Sequence, residues 1–363
     1  MSRINAIPST ELATLIRVFF LAKRTMYAVG KPGIAKTAMV RKGCEDVGKA
    51  LGKPFVVREL HLASMSEVDI RGYLIPDGDD SKFTKPEFWR VVEANEYGCL
   101  FLDEFPQAPH EVQKAVAPLI LERRIGEWYL PDGWMVVCAG NSIEDNSGAN
   151  SLLAHVLNRM SRIEVCAPDV DEWITWAAQN NLPPELIAIA KLRPDIVFNS
   201  DIPSEPDTPY CTPRSLHALG DIANAYTGGL VEMVACPTGI SILNGTIGQG
   251  PAVEVAAMVR TSMRLPSYQD VMADPEKCPV PTKQDEAYAM AMLVAVRGDA
   301  KRDAGKPVQY LGRFPPNIAL AGIMPLIRRD GEFLKTKEIA RWVIANKEIT
   351  NKFRHYLTLA KGK

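Results

Sequence analysis

The chain has 363 residues, 47% hydrophobic and 23% charged, with a formal net charge of -1. That length suits about two domains of ~150 residues, each with a real core, and the near-zero charge excludes a global field drawing the protein to nucleic acid or anionic lipid. The seven cysteines form no C-x-x-C pair and the five histidines no zinc spacing, so reduced, mostly buried thiols are expected.

The start, MSRINAIPST, lacks the apolar stretch of a signal peptide. The longest clean apolar run, Ala287 to Val296, falls well short of the ~20 residues of a membrane span. A cytoplasmic protein with no membrane contact is expected.

In chain order, Leu12 to Lys23 reads as an amphipathic helix and Met26 to Val29 as a short apolar strand. GKPGIAKT follows, before a helix expected over Thr37 to Leu51. It fits the phosphate-loop pattern G-x-x-x-x-G-K-[ST] at every fixed position but one, where Ala35 replaces the second glycine. In such a loop the backbone N–H groups and the helix N-terminus face phosphates. Lys36 would reach the β- and γ-phosphates of ATP, and Thr37 would offer its hydroxyl to Mg²⁺. The candidate cradle is Gly30, Lys31, Pro32, Gly33, Ile34, Ala35, Lys36, Thr37 and Ala38. Ala35 adds one methyl group, which is unstrained if its φ is negative.

Phe55 to Leu62 reads as a strand, and CLFLDEF, Cys99 to Phe105, as an apolar strand ending in two acids. Carboxylates at the end of a buried strand are costly unless they act on a cation or a water. Asp103 is the expected Mg²⁺-holding acid and Glu104 the base that takes a proton from the attacking water. A solvated acidic turn is the bland alternative for an isolated pair. The phosphate loop about 65 residues upstream outweighs it.

Pro109 to Arg123 follows as a helix and Met135 to Ala139 as a buried strand, within WMVVCAGN. Asn141 can orient the lytic water if this strand lies between the loop strand and the acid strand; otherwise it is a turn residue. HVLNRMSRIEV carries Arg159 and Arg162, read as one helical turn before a strand at Ile163 to Cys166. They are either arginines acting on a neighbouring subunit or surface groups.

Beyond Ala167 strand signals stop. Helices are expected over Asp169–Asn180, Pro184–Leu192, Thr212–Tyr226 and Ala252–Met263, and near Asp285–Arg302, Asn317–Arg328 and Thr336–Asn346. A rigid proline-rich connection spans Ser200 to Pro213, and a polar linker follows Leu265. In TPRSL, Thr212 is an N-cap and Pro213 the first helical residue, so Arg214 sits at a helix start, facing either a γ-phosphate or solvent. From Arg297 to the end, 15 Lys and Arg stand against 6 Asp and Glu. This basic tail suits an acidic partner, a nucleic acid or a neighbouring subunit.

Buried strands alternating with helices imply a parallel sheet covered on both faces. The expected division is an α/β nucleotide-binding domain (1–167), a helical lid (168–264) and a helical C-terminal extension (265–363).

This set, in this order, resembles the AAA+ ATPases and, within them, the MoxR family, over roughly Leu12 to Tyr226. DIRGY (Asp69 to Tyr73), LFLDEFPQAPHEVQKAVAPLILERRI with its Gln113, VVCAGN, LNRMSRIEV and TPRSL carry the resemblance. The RavA-like, MoxR-like and CbbQ/NorQ-like branches lie equally near, and an alanine before the loop lysine also occurs in the RavA branch. The resemblance implies an AAA+ P-loop NTPase core with a helical lid, assembled as a homo-oligomeric ring, usually a hexamer, with ATP between subunits. It implies an arginine finger supplied in trans, Arg159 with Arg162 in support; Asn158 replaces the acid of the family's D-R-F or D-R-M element, which leaves the choice open. It also implies two segments facing the pore, Gly72 to Trp89 and Arg123 to Trp134. Their Phe83, Trp128 and Tyr129 either grip a partner chain or pack on the sheet. In this family the partner often carries a von Willebrand factor A domain with a metal-binding MIDAS site.

The leading reading is an ATP-driven, chaperone-like protein remodeller. A DNA-associated motor or loader is the alternative. The basic tail alone favours it, with no aromatic-and-basic stripe, helix-turn-helix or zinc module in support. A nucleotide-gated scaffold with little turnover is the third reading, and Glu104 argues against it.

Overall fold

A computed structural model describes residues 6–142, 150–198 and 202–346, except 204 and 206. Residues 347–363 of the basic tail, and Ser200, Asp201, Ser204 and Pro206 of the proline-rich connection, lie outside the described residues. The chain divides into two compact units, Met1–Asp169 and Val170–Lys363.

Among the described residues, the first unit has ten strands: β1 (Ile7–Pro8), β2 (Met26–Val29), β3 (Val56–His61), β4 (Leu74–Asp77), β5 (Asp80–Phe83), β6 (Gly98–Asp103), β7 (Arg124–Ile125), β8 (Trp128–Tyr129), β9 (Trp134–Gly140) and β10 (Ser161–Cys166). Its helices are α1 (Leu12–Ala22), α2 (Lys36–Leu51), α3 (Glu67–Arg71), α4 (Trp89–Ala94), α5 (His110–Glu122) and α6 (Ala154–Leu157). Six strands form one sheet in the order β1-β10-β2-β9-β6-β3, and every pairing in it is parallel. The strands read as unbroken apolar runs because helices cover both faces, and Leu100, Phe101 and Leu102 are fully buried. One face packs under α1 and α2 through Ile16, Val40, Cys44, Phe101 and Val137. The other packs under α4 and α5 through Trp89, Val112, Val116, Leu119 and Trp134. Two antiparallel ribbons, β4–β5 and β7–β8, stand apart from the sheet.

The described part of the second unit is all helical: α7 (Val170–Gln179), α8 (Pro184–Leu192), α9 (Pro194–Val197), α10 (Pro213–Ala225), α11 (Gly229–Ala235), α12 (Pro237–Ile247), α13 (Gln249–Ser262), α14 (Tyr268–Ala273), α15 (Gln284–Arg297), α16 (Ala300–Asp303), α17 (Lys306–Leu311), α18 (Pro316–Arg329) and α19 (Lys337–Ala345). At its centre α15 buries Ala287, Met290, Ala291, Met292 and Val294 against α8 and α18. This unit therefore takes in both regions expected after residue 168. The single helix expected near Asp285–Arg302 is interrupted at Gly298, whose extended backbone ends α15; a Cβ there would lie 2.6 Å from Leu326 of α18. Among the described residues no single helix is long and apolar enough to cross a membrane. Cys44, Cys99, Cys138, Cys211 and Cys278 are buried, and none of the seven cysteines forms a disulfide.

Candidate nucleotide site

The sheet order decides what can meet. β9 lies between β2 and β6, so the C-terminal ends of these three strands stand side by side. Ligands of open α/β sheets bind outside such ends.

The loop from Gly30 to Ala35 leaves β2 and delivers the chain to α2, which starts at Lys36. Gly30 has no room for a side chain, since a Cβ would lie 2.2 Å from the Val165 carbonyl oxygen. Pro32 and Gly33 form a turn after Lys31, Ile34 is buried, and Ala38 lies exposed in the first turn of α2. Lys36 is buried, and its ammonium donates to the carbonyls of Gly30 (2.6 Å) and Lys31 (2.8 Å) and to Asn141 Oδ1 (3.1 Å).

The condition for an unstrained Ala35, a negative φ, is not met. Its φ is 69° and its ψ 23°, a left-handed conformation, and Gly33 is left-handed too at 78°. The loop must coil back on itself to enter α2, and the glycine of the motif serves that turn. An alanine there costs about 1–2 kcal/mol of backbone strain.

Across the sheet, Thr37 donates from Oγ1 to Asp103 Oδ2 at 2.9 Å, and the Glu104 backbone N–H donates to Asp103 Oδ1 at 2.9 Å. Both carboxylate oxygens of Asp103 are thus fixed in direction. Glu104 is also left-handed, with φ 56° and ψ 32°. Its side chain is exposed, and its carboxylate makes no hydrogen bond or ion pair among the described residues. A hydroxyl and a carboxylate on adjacent elements are hard oxygen donors, which suits Mg²⁺. Thr37 and Asp103 would hold that ion, which would shield phosphate charge.

The neighbouring strand adds groups that sequence spacing does not disclose. The parallel register sets His61 of β3 opposite Asp103. Glu59, two residues earlier on the same face, pairs with Arg41 and lies 3.6 Å from His61 Nε2. Gln113 is likewise buried in α5, with Nε2 donating to the Ala108 carbonyl at 3.1 Å.

Arg159 and Arg162 do not share a helical turn. The helix α6 ends at Leu157; Arg159 sits exposed in the following turn and Arg162 lies on β10, paired with Glu164 at 2.6 Å. Pairing of Ser161 to Glu164 with β2 leaves the chain extended there. Arg214 lies in the second unit, exposed at the start of α10, after a Thr212 cap whose Oγ1 accepts from Ser215 N at 3.1 Å. Of the three aromatics, Phe83 and Tyr129 are exposed, whereas Trp128 packs partly buried against the core.

Residues 27–160 match the family model of the AAA domain, dynein-related subfamily. The match lies within the first unit, whose six-stranded parallel sheet flanked by helices is that of an AAA+ P-loop core. A search of curated proteins returns no match. Among solved structures the chain is similar to PCH-2 of C. elegans, at 13% identity and TM-score 0.34, covering 70% of this chain and 68% of that one. It is also similar to a lysine-to-arginine variant of RuvB from Thermotoga maritima, at 14% identity and TM-score 0.36, covering 84% and 85%.

Proposed function

We propose that this protein hydrolyses ATP in a Mg²⁺-dependent reaction and uses the cycle to remodel or activate a protein partner, in the manner of the MoxR group. The observation that carries the ATPase is the junction of three strand ends: Lys36 bonded to Asn141, and Thr37 bonded to Asp103, with the Glu104 carboxylate uncommitted beside them. Loop N–H groups and the α2 N-terminus bind the phosphate oxygens, and Lys36 places its charge on the terminal ones. Asn141 orients the attacking water and Glu104 accepts its proton. The partner, the ring and the helical lid rest on the sequence resemblance. In that reading Arg214 senses the γ-phosphate from the lid, and the exposed Phe83 and Tyr129 are offered to the partner chain.

The test is phosphate release by the purified protein with ATP, in Mg²⁺ and in excess EDTA. Release that requires Mg²⁺ supports the reading, and no release in either condition contradicts it. The ring adds a second expectation. Arg159→Ala subunits keep sound ATP sites without a finger, and Lys36→Ala subunits keep fingers without a working site. Each alone should be nearly inactive, since such fingers are worth roughly 10³ to 10⁵ in rate. Mixed rings should regain part of the activity. If subunits exchange and none returns, Arg159 does not act in trans.

A further inference from the structure

Glu104 holds a backbone conformation that a side-chain-bearing residue adopts only where its surroundings over-determine it. The turn after it shows what does so. The Glu104 carbonyl accepts from Gln107 N at 2.9 Å and the Phe105 carbonyl from Ala108 N at 3.2 Å. Phe105 is fully buried, edge-on to Tyr27 of the phosphate-loop strand with centroids 6.3 Å apart. Pro106 lies flush on Gly140, the residue before Asn141; a Cβ at Gly140 would lie 2.1 Å from the proline ring.

The far end of the turn is held by two amides. Gln113 Nε2 donates to the Ala108 carbonyl at 3.1 Å, and Asn150 Nδ2 donates to the same oxygen at 3.3 Å. Asn150 also donates its backbone N–H to the Pro106 carbonyl at 2.7 Å. Gln113 is wholly buried on a helix whose other inward positions, Val112, Ala115 and Val116, are apolar. A leucine would fill that volume without needing a partner. The amide's other end does not explain it, because Oε1 has no hydrogen-bond partner among the described residues. What the glutamine contributes is its bond to the turn.

We infer that Gln113 is a positioning residue for hydrolysis: with Asn150 it clamps the Ala108 carbonyl and so fixes the turn that aims Glu104. Gln113 touches neither nucleotide nor water and acts through the backbone of residues 104–108. The inference rests on the ATPase reading above. It places the fixed end of the catalytic turn in α5, outside the motifs that bind nucleotide.

The experiment compares Gln113→Leu, Asn150→Ala and Glu104→Gln in the full chain, by steady-state ATPase kinetics, binding of a fluorescent ATP analogue and thermal unfolding. Leucine removes the donor and also the unpartnered oxygen, so the fold should hold its melting temperature. Misplacing a catalytic group by a fraction of an ångström to an ångström should lower kcat about 10- to 100-fold, with KM and analogue affinity within about twofold of wild type. Asn150→Ala should give a smaller fall of the same kind. Wild-type kcat in Gln113→Leu, alongside an inactive Glu104→Gln, overturns the inference and leaves the ATPase reading intact. So does a fall in kcat matched by equal losses of affinity and melting temperature. If Gln113→Leu fails to fold, Asn150→Ala decides: reduced kcat at unchanged KM supports the clamp, and wild-type kcat overturns it. Wild-type turnover in Glu104→Gln overturns the catalytic assignment and the clamp together.

Discussion

Two turns in the first unit are built alike and used differently. Each follows a buried parallel strand, and each has a left-handed residue that is not glycine: Ala35 before α2 and Glu104 after β6. At the first turn the strained residue does nothing chemical. The working groups come after it and are tied down, Lys36 by three hydrogen bonds and Thr37 by its bond to Asp103. At the second turn the strained residue is itself the proposed working group, and its carboxylate has no partner among the described residues. A phosphate site needs charge held in place before substrate arrives. A general base needs a carboxylate free to take a proton. Under the proposed ATPase reading, this difference in hydrogen bonding matches the difference between binding and chemistry.

Lys36→Ala should break the first turn's task most completely. It removes a buried cation aimed at phosphate, so ATP and ADP affinity should both fall, by about 100-fold or more if the lost charge-assisted bonds are worth roughly 1.5–3 kcal/mol each. Equilibrium titration with a fluorescent nucleotide measures this. Unchanged affinity would erase the distinction between the two turns.

Changes at Ala35 sharpen the comparison on the stability side. Ala35→Val puts a β-branched residue at positive φ, where strain of about 1–3 kcal/mol is expected; the denaturation midpoint should fall. Ala35→Gly should have the smallest effect. Relief of about 1–2 kcal/mol is offset by roughly 0.5–1 kcal/mol of added freedom in the unfolded chain. A net gain of about 0–1.5 kcal/mol remains, with ATP affinity and kcat near wild type. A loss of stability in Ala35→Gly would show that the loop does not carry the strain its backbone angles indicate.

The nucleotide side of the site was legible because its chemistry is contiguous. GKPGIAKT and CLFLDEF each place their groups within a few residues, and apolar runs mark the strands that bring them together. Asn141 was legible only conditionally, since its use depends on β9 lying between β2 and β6. The backbone angle of Ala35 was not legible, because a pattern of residue types says nothing about the path of the loop. His61 and Glu59 were missed because parallel register, not spacing, sets them beside Asp103. Arg159 and Arg162 were given a shared helical turn because their spacing of three fits one; pairing of Ser161 to Glu164 with β2 overrides it. In the second unit, α11 and α12 escaped notice because Gly228, Gly229, Pro237, Gly239 and Gly245 read as breakers. Burial of Leu230, Met233 and Leu243 supplies what local propensity lacks.

The central claim is that Glu104 acts in the chemical step and not in holding the nucleotide. Glu104→Gln keeps the size and hydrogen-bonding shape of the side chain and removes the basic oxygen. Its steady-state ATPase rate and its ATP affinity, measured on the same preparation, test the claim directly. The account predicts a fall in kcat of about 10²- to 10⁴-fold, the range for loss of a general base, with ATP affinity essentially at the wild-type value. Turnover at the wild-type rate, or a loss of affinity as large as the loss of rate, would contradict it.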